Sequence, residues 1–212
     1  MKNYLLQKIN YLELPMKKII YDFEIKETNT PTKWIKIVIH HTKNRKTIQS
    51  IIDLHVKKNR WSEIGYHFMI GNKGQIYYTR ELDTAGAHTY GYNRNSIGIA
   101  LFGNFDETQA TEKQLNSLNK LIEAIKKKYP IRKILGHNQA IYKQIKNTFW
   151  KLNLSEINIL EIENKDTYKE FIKETNEKVL AQDASSKTVS LIKRFTSCPG
   201  FNMYKWLKNN KL

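Results

Sequence analysis

The sequence predicts an α/β fold in which a central mixed β-sheet is flanked by helices. Apolar runs of strand length recur along the chain, and two stretches with helical spacing of apolar residues separate them, at residues 47–58 and 111–129. A short turn at residues 71–74 joins two of the strands as a hairpin. Up to residue 137 the order is strand, helix, hairpin, loop, strand, helix, strand, which is typical of a layered α/β domain.

The first strand of this series ends in two adjacent histidines. Ile37 to Ile39 is an unbroken β-branched run, as expected for a strand that is covered on both faces, and His40 and His41 follow it. Histidine is the commonest metal-ligating side chain and also titrates near neutral pH. Because successive side chains of a strand point to opposite faces, the two histidines are not expected to bind one metal ion together.

A helix and a hairpin come next. Thr47 is expected to cap the helix, which carries isoleucines at helical spacing along one side. Residues 66–70 and 75–79 predict the two strands of the hairpin. The polar, glycine-containing segment 85–96 predicts a loop of the kind that often forms binding sites. Residues 97–103 are apolar throughout and predict a buried strand.

The second helix leads to a further histidine. Residues 111–129 hold leucines and isoleucines at helical spacing, with three lysines in the last turn, where positive charge suits the helix dipole. Residues 131–135 predict a short strand, and His137 follows it directly after Gly136. The chain therefore places a histidine at the end of two separate strands.

Two segments depart from this plan. Residues 1–33 are interpreted as an N-terminal extension with one edge strand at 19–25, ahead of a main domain at 34–212. Residues 141–190 are interpreted as a mainly helical insertion, since an amphipathic pattern occupies 166–182 and fifty structureless residues are unusual in a compact domain. A short closing helix is expected at residues 201–207, directly after Cys198-Pro199-Gly200.

Composition excludes several protein classes. The single cysteine, Cys198, rules out an intramolecular disulfide framework and leaves either an inert buried thiol or a functional thiolate. No stretch approaches the roughly 18–20 apolar residues that a membrane span needs. The first residues lack the apolar core of a secretory signal peptide, so none is expected.

The net charge of +16, from 36 Lys and Arg against 20 Asp and Glu, favours an anionic partner. Nucleic acid, anionic lipid and anionic cell-wall polymers all meet this condition. The basic residues are scattered and accompany no recognisable DNA-reading motif, which places nucleic acid below a wall polymer. A lysine-rich, solvated surface with no polyanionic partner remains the alternative.

The histidines and the cysteine together predict a metal site. One histidine of the His40–His41 pair, His137 and Cys198 would supply two imidazoles and a thiolate. These three ligands would leave a tetrahedral Zn²⁺ with one open position, which is the layout of a catalytic rather than a structural site.

Five motifs in this order resemble the type 2 N-acetylmuramoyl-L-alanine amidases, a family that includes amidase-type phage lysozymes and the peptidoglycan recognition proteins. The resemblance covers roughly residues 34–140 and 195–208. The motifs are Ile37-Val38-Ile39-His40-His41-Thr42, Trp61-Ser62-Glu63-Ile64-Gly65-Tyr66-His67-Phe68, Gly86-Ala87-His88 with Tyr92-Asn93-Arg94-Asn95-Ser96-Ile97-Gly98, Leu135-Gly136-His137, and Ser197-Cys198-Pro199-Gly200.

The resemblance implies an amidase fold with one Zn²⁺ in a groove, and hydrolysis of the amide between N-acetylmuramic acid and L-alanine in peptidoglycan. Matched by motif, His40, His137 and Cys198 are the implied zinc ligands. Tyr66 matches a catalytic tyrosine beside the zinc, and Thr196 matches a position near the bound water where relatives carry Lys or Thr. His41 matches a position that the family fills variably.

Two further residues are implied to bind substrate. His88 and Asn93 match residues that line the substrate groove of the family, although a polar loop beside a site can also be purely structural. One feature departs from the family pattern, since Cys198 lies 61 positions after His137, whereas close relatives hold the two ligands near each other in sequence. The insertion at 141–190 must therefore leave and return at the rim of the site.

Alternative functions remain at this stage. The same scaffold serves non-catalytic peptidoglycan-binding proteins, which commonly lack a zinc ligand, and some phage amidases also bind an RNA polymerase. All three ligand types are present here, which favours catalysis. The absence of a signal peptide predicts synthesis in the cytoplasm, followed by release to the cell wall as for an endolysin, or a cytoplasmic role in recycling soluble muropeptides.

Overall fold

The structure is a computed structural model that describes residues 4–21, 31, 33–148, 165–183, 185–186, 188–189 and 198–209. Its strands and helices follow the expected alternation. The strands are β1 Tyr4–Tyr11, β2 Leu14–Tyr21, β3 Lys36–His41, β4 Phe68–Ile70, β5 Ile76–Tyr78, β6 Ser96–Leu101 and β7 Lys133–Gly136. The helices are α1 Ile48–Ile52, which continues as a π-helix over Asp53–Lys58, α2 Glu112–Lys128, α3 His137–Thr148, α4 Lys165–Gln182 and α5 Phe201–Asn209.

The seven strands form one mixed sheet in the order β1-β2-β5-β4-β6-β3-β7. Strand β3 pairs in parallel with both β6 and β7, and β4 pairs in parallel with β6. The β4–β5 hairpin is antiparallel, and β2 joins β5 in parallel. The predicted mixed sheet with flanking helices is therefore confirmed.

Strand β3 lies inside the sheet and is covered on both faces. Ile37, Val38 and Ile39 are fully buried, as the unbroken β-branched run predicts. Ile37 and Ile39 join the core beneath α2, α3 and α5. The residue paired with His40, Ala100, belongs to the second core, which packs beneath α1. The alternation of β3 therefore separates His40 from the larger core.

Helix α2 begins and ends where its sequence signals indicate. The Thr111 side chain accepts a hydrogen bond from the Gln114 N–H, and the Gln114 side chain accepts one from the Thr111 N–H, forming a capping box. Leu118, Leu121 and Ile125 are fully buried against the sheet. No helix in the described part of the chain is long and apolar enough to span a membrane.

The N-terminal segment forms two strands where the sequence analysis expected one. Strands β1 and β2 form an antiparallel hairpin, and β2 extends the main sheet next to β5. The expected strand at 19–25 overlaps β2 only up to Tyr21, and residues 22–25 lie outside the described part. Strand β1 escaped prediction because it is an edge strand with four consecutive exposed residues, so its apolar and polar residues do not alternate.

The insertion is helical and packed where the structure describes it. Helix α3 starts at His137 itself and runs through the start of the insertion, and α4 matches the helix predicted at 166–182. Phe171 and Val179 of α4 are buried in the larger core, and the Phe171 ring packs edge-on to Tyr142 of α3 at 5.0 Å. Residues 149–164, which include part of the predicted insertion, lie outside the described residues.

The hairpin also supports the loop that precedes β4. The Tyr21 hydroxyl accepts a hydrogen bond from the Ile64 N–H at 3.0 Å and donates one to the Thr79 carbonyl at 3.1 Å. Ile64 itself is fully buried. One side chain of β2 is thus hydrogen-bonded both to the loop just before Tyr66 and to Thr79, the residue that follows β5.

We expect Tyr21→Phe to lower the free energy of unfolding by about 1–3 kcal/mol, because it leaves the buried Ile64 N–H without its acceptor. Denaturant unfolding followed by circular dichroism measures the change. Tyr4→Phe is the matched control, since Tyr4 pairs with Tyr21 across the hairpin and its hydroxyl has no hydrogen-bond partner among the described residues. Equal stability of both variants would contradict the anchoring role of Tyr21.

Candidate metal centre

The three implied ligands converge on one point. One potential ligand atom from each of His40, His137 and Cys198 lies within 4.8 Å of the other two. Strand pairing brings the histidines together, because Ile39 pairs with Gly136 in the parallel β3–β7 ladder and His40 and His137 follow these residues. The two imidazole ring centroids are 4.8 Å apart.

The arrangement fits zinc. The Cys198 Sγ lies 3.7 Å from His40 Nδ1. Tetrahedral Zn²⁺ holds nitrogen ligands at about 2.0–2.1 Å and sulfur at about 2.3 Å, which places N and S ligand atoms roughly 3.5 Å apart. Imidazole with thiolate is a ligand set that suits zinc rather than magnesium or calcium. His40 and Cys198 are only 1% and 7% exposed, so the site would shield an ion on this side from water.

Cys198 reaches the site despite its distance along the chain. The Cys198 carbonyl accepts a hydrogen bond of 2.9 Å from the Asn138 N–H, at the start of α3. Its Sγ accepts one of 3.5 Å from the His41 N–H, at the end of β3. These two contacts fix the returning segment to the elements that carry the other two ligands.

Gly200 allows the same segment to lie close to the loop after β6. Its φ of +93° is a left-handed conformation that favours glycine, and a Cβ there would lie 2.5 Å from the Phe105 carbonyl carbon. The Cys198-Pro199-Gly200 motif thus has a structural reason for its glycine. The sequence suggested the motif only through its resemblance to the family.

The protonation states of His40 and Cys198 follow from burial. Burial, together with the nearby His137 and His88, holds the pKa of His40 well below 6.5, so its ring is neutral at pH 7 and has one nitrogen free to bind metal. Burial also raises the pKa of the Cys198 thiol to about 12, although the His41 N–H opposes this. Without metal the thiol is protonated, and metal binding must displace that proton.

His41 has a different environment from His40. Its Nδ1 accepts a hydrogen bond of 3.2 Å from the Phe105 N–H, and its ring packs near the Phe105 ring at 6.0 Å. The side chain therefore supports the loop after β6. The structure places His40 rather than His41 with His137 and Cys198.

Tyr66 lies beside this cluster. Its ring centroid is 5.0 Å from that of His40 and 6.5 Å from that of His88. Burial raises the pKa of Tyr66 above its usual value of 10.0, and the neighbouring Cys198 raises it further. The hydroxyl is therefore protonated at neutral pH and can act as a hydrogen-bond donor.

Several backbone contacts hold Tyr66 in place. The His55 Nδ1, on the π-helical turn, accepts a hydrogen bond from the Gly65 N–H at 3.1 Å. The Thr79 hydroxyl donates one of 2.6 Å to the Tyr66 carbonyl. Only glycine fits at position 65, because a Cβ there would lie 2.2 Å from the Ala87 carbonyl oxygen. The Tyr66 loop and the loop that carries His88 therefore touch backbone to backbone.

A buried arginine clamps the same two loops. Arg80 donates hydrogen bonds to the Ala85 carbonyl at 2.8 Å and to the Ile64 carbonyl at 3.1 Å, and it lies 3.4 Å from the Glu63 carboxylate. Burial raises the pKa of Glu63 to about 7, although Arg80 opposes this. Arg80 gives no signal in the sequence, because a role for an isolated charged residue cannot be read without its partner, and Glu63 stands out there only as part of a family motif.

His88 and Asn93 lie on the loop before β6. Asn93 Oδ1 accepts hydrogen bonds from the His88 N–H at 2.9 Å and the Thr89 N–H at 2.8 Å, so it shapes the loop. Asn93 also lines a cleft of about 810 Å³, with Trp61, Tyr90 and Arg94. Substrate binding by His88 and Asn93 stays a prediction.

The remaining sequence-based sites divide into two cases. Thr196, the second implied catalytic residue, lies outside the described residues. His67, which belongs to the same motif as Tyr66, has a structural role: its Nδ1 accepts a hydrogen bond from the Gly98 N–H and its Nε2 donates one to the Thr84 carbonyl.

Comparison with known families agrees with the geometry. The family described as N-acetylmuramoyl-L-alanine amidase matches residues 30–148, which is more than half of the chain. The chain belongs to this amidase family. The match begins after β2 and ends before Cys198, so the family assignment rests on strands β3 to β7, the Tyr66 and His88 loops, and two of the three candidate ligands.

Individual relatives of this amidase-family chain include recognition proteins and phage enzymes. A peptidoglycan recognition protein of Trichoplusia ni is 33% identical over 137 residues, which cover 63% of this chain and 70% of that protein. The endolysin of Enterobacteria phage K11 is 33% identical over 89 residues, which cover 40% of this chain and 59% of the endolysin. The match thus spans less than two thirds of the phage protein.

Solved structures show the same two groups. An endolysin N-acetylmuramoyl-L-alanine amidase from Clostridium intestinale superposes with a TM-score of 0.54 and 30% identity, over 62% of this chain and 92% of that one. A bumblebee peptidoglycan recognition protein superposes with a TM-score of 0.51 and 34% identity, over 60% of this chain and 90% of that one.

We expect zinc binding to the metal-free protein at pH 7 to release the proton of the Cys198 thiol, which is protonated before binding, whereas His40 is already neutral and releases none. Zinc affinity should therefore rise as pH increases across the neutral range. Calorimetry in buffers of different ionisation enthalpy counts the protons. Cys198→Ala should bind zinc more weakly without this proton, and an unchanged release from the variant would contradict Cys198 as a ligand.

Proposed function

We propose that this protein is a zinc-dependent amidase that cleaves the bond between N-acetylmuramic acid and L-alanine in peptidoglycan. The observation that carries the proposal is the convergence of His40, His137 and Cys198 beside Tyr66. Family membership and the resemblance to two proteins named as endolysins support it. An endolysin-like role in wall degradation is the form of this activity that we favour.

Each residue has a chemical task in this proposal. When bound, zinc supplies a Lewis acid and a means of forming a nucleophile from water at neutral pH. His40, His137 and Cys198 would hold it, and the neutral His40 is ready to do so without losing a proton. The protonated Tyr66 hydroxyl would donate a hydrogen bond to the oxygen that becomes negatively charged when the amide carbonyl is attacked.

Thr196 and the cleft beside the His88 loop are two further parts of the proposal. The resemblance assigns the Thr196 hydroxyl to the orientation of the water or of the tetrahedral intermediate. The cleft of about 810 Å³ has room for a sugar–peptide segment, and Trp61, Tyr90 and Arg94 offer aromatic faces and a positive charge to it. A solved relative is described as a complex with a monomeric peptidoglycan fragment, which supports peptidoglycan as the ligand class.

A non-catalytic peptidoglycan-binding protein is the second candidate. The recognition proteins among the relatives favour it. The complete set of candidate ligands favours catalysis instead, because binding alone does not require a buried thiol beside two histidines. Catalysis therefore remains the proposed function.

Delivery and surface charge belong to the same proposal. We propose that the protein is made in the cytoplasm and acts on the cell wall after release, as the resemblance to a phage endolysin suggests. Recycling of soluble muropeptides in the cytoplasm is the alternative. The net charge of +16 would hold the protein to an anionic wall polymer, with nucleic acid or an RNA polymerase ranked below it.

We expect zinc-loaded protein to release stem peptides with a free L-alanine amino terminus from purified sacculi. Mass spectrometry of the products and metal analysis of the same sample provide the measurement. Tyr66→Phe should lower kcat by about 10²–10³-fold with zinc retained, because it removes one oxyanion donor. Tyr129→Phe is the control and should leave turnover unchanged, because Tyr129 caps the C-terminal end of α2 and is not part of the proposed site. Prolonged digestion without such peptides would refute the amidase and leave the binding protein.

Adhesion to the wall polymer should weaken steeply as salt rises, because the attraction comes from many separate charges. Cosedimentation with purified anionic wall polymer across a salt series measures it, with an uncharged polysaccharide as the control. Stronger binding to DNA than to wall polymer at every salt concentration would overturn the proposed partner.

A further inference from the structure

The ring of His88 packs against the backbone of two glycines, Gly86 and Gly98. A Cβ on Gly86 would lie 2.4 Å from His88 Cδ2, and a Cβ on Gly98 would lie 2.5 Å from the same atom. No side chain other than hydrogen fits at either position while the ring is there. The imidazole is therefore held flat between the loop backbone and strand β6, beside His40.

Both nitrogens of this ring have protein partners. His88 Nε2 lies 3.2 Å from the Ser96 carbonyl oxygen, and His88 Nδ1 lies 3.1 Å from His40 Nε2. A carbonyl oxygen can only accept, so His88 Nε2 carries the hydrogen. Among the described residues the ring contacts a hydroxyl, a carbonyl and another imidazole, and none of these is a carboxylate that would stabilise a positive charge, so the ring is neutral and its Nδ1 carries no hydrogen.

This assignment determines the hydrogen on His40. If His40 Nε2 were also bare, two lone pairs would face each other at 3.1 Å without a hydrogen between them. His40 Nε2 therefore carries the hydrogen and donates it. In a neutral imidazole the other nitrogen is then bare, and His40 Nδ1 is the atom that lies 3.7 Å from Cys198 Sγ.

Thr89 adds a second route to the same result. Its hydroxyl oxygen lies 2.9 Å from His88 Nδ1 and 3.3 Å from His40 Nε2. If the hydroxyl donates to His88, its oxygen is still available to accept from His40 Nε2. His40 again carries its hydrogen on Nε2.

We propose that His88 is a positioning residue, which fixes His40 in the tautomer whose bare Nδ1 faces the metal site. The chain of hydrogen bonds runs from His40 Nε2 to His88 Nδ1 and from His88 Nε2 to the Ser96 carbonyl. The inference rests on the proposed function in that it gives this tautomer a metal to bind. It also leaves neither His88 nitrogen free for a hydrogen bond to substrate.

The expected effect is on metal affinity before it is on turnover. A neutral histidine that is not held in one tautomer carries its hydrogen on Nδ1 in part of the population. Those molecules must lose the hydrogen from Nδ1 before this nitrogen can bind metal. Loss of a partner that orients a metal-ligating histidine typically weakens metal binding by about 10–100-fold. A residue that only contacts substrate would not change metal binding.

Two substitutions separate the halves of the hydrogen-bond chain. In His88→Asn the amide oxygen occupies the place of Nδ1 and can still accept from His40. In His88→Gln the amide reaches the place of Nε2, near the Ser96 carbonyl, and His40 Nε2 keeps only its longer contact of 3.3 Å with the Thr89 hydroxyl. Thr89→Val is the matched control, because it keeps the direct contact between the two histidines.

The tautomer is measured in metal-free protein by ¹⁵N–¹H correlation spectra of histidine-labelled samples, which hold only six histidines to assign. Zinc dissociation constants come from competition with a chelator. We expect wild type, His88→Asn and Thr89→Val to show His40 protonated on Nε2 with similar zinc affinity. His88→Gln should show mixed tautomers and about 10–100-fold weaker zinc binding.

Two results would overturn the inference. Retention of the Nε2–H tautomer and of zinc affinity in both His88 variants, with a raised KM, would make His88 a substrate contact only. Equal loss of zinc affinity in both His88 variants would mean that the effect comes from packing of the ring against Gly86 and Gly98, and not from the hydrogen bond to His40. Failure of the amidase itself is distinguishable, because wild type would then release no peptide while the tautomer and the zinc affinities still follow the expected order.

Discussion

The parallel pairing of β3 with β7 is the constraint on which the site depends. Neighbouring strands lie about 4.7–4.9 Å apart, and the ladder is in register up to Ile39 and Gly136. The residue after each member of this pair is a histidine, His40 on β3 and His137 at the start of α3, so the strand pairing brings the two rings together with their centroids 4.8 Å apart. The remaining parts of the site are arranged around this fixed pair.

Glycines and backbone hydrogen bonds bring the other groups to that pair. Gly65 lets the Tyr66 loop touch the neighbouring loop, and Gly98 makes room for the His88 ring on the sheet. Arg80 is almost fully buried and joins the same two loops through its hydrogen bonds to the Ile64 and Ala85 carbonyls. Burial keeps His40 neutral and Tyr66 protonated, so one physical cause prepares both groups for their proposed tasks.

Local sequence patterns predicted the elements that bury an apolar face. The β3 run, the capped helix α2 and helix α4 were found because their apolar residues recur with the period of the element. Strand β1 was missed because an edge strand is exposed and carries little pattern. The residue types predicted a metal site of two histidines and Cys198, and the family motifs selected His40 from the His40–His41 pair. Spacing alone cannot show that Cys198 returns to a histidine 61 positions earlier. The contact of His88 with His40 joins residues 48 positions apart, so no local pattern contains it.

The distance between His137 and Cys198 gives the metal a second consequence. An ion held by both residues would cross-link the ends of a loop of about sixty residues, much as a disulfide does. Closing a loop costs entropy that grows by about 0.6 kcal/mol with each doubling of its length. The hydrogen bond from the Asn138 N–H to the Cys198 carbonyl already offsets part of that cost. Zinc bound in this protein would therefore stabilise the folded position of the C-terminal segment as well as serve the proposed reaction.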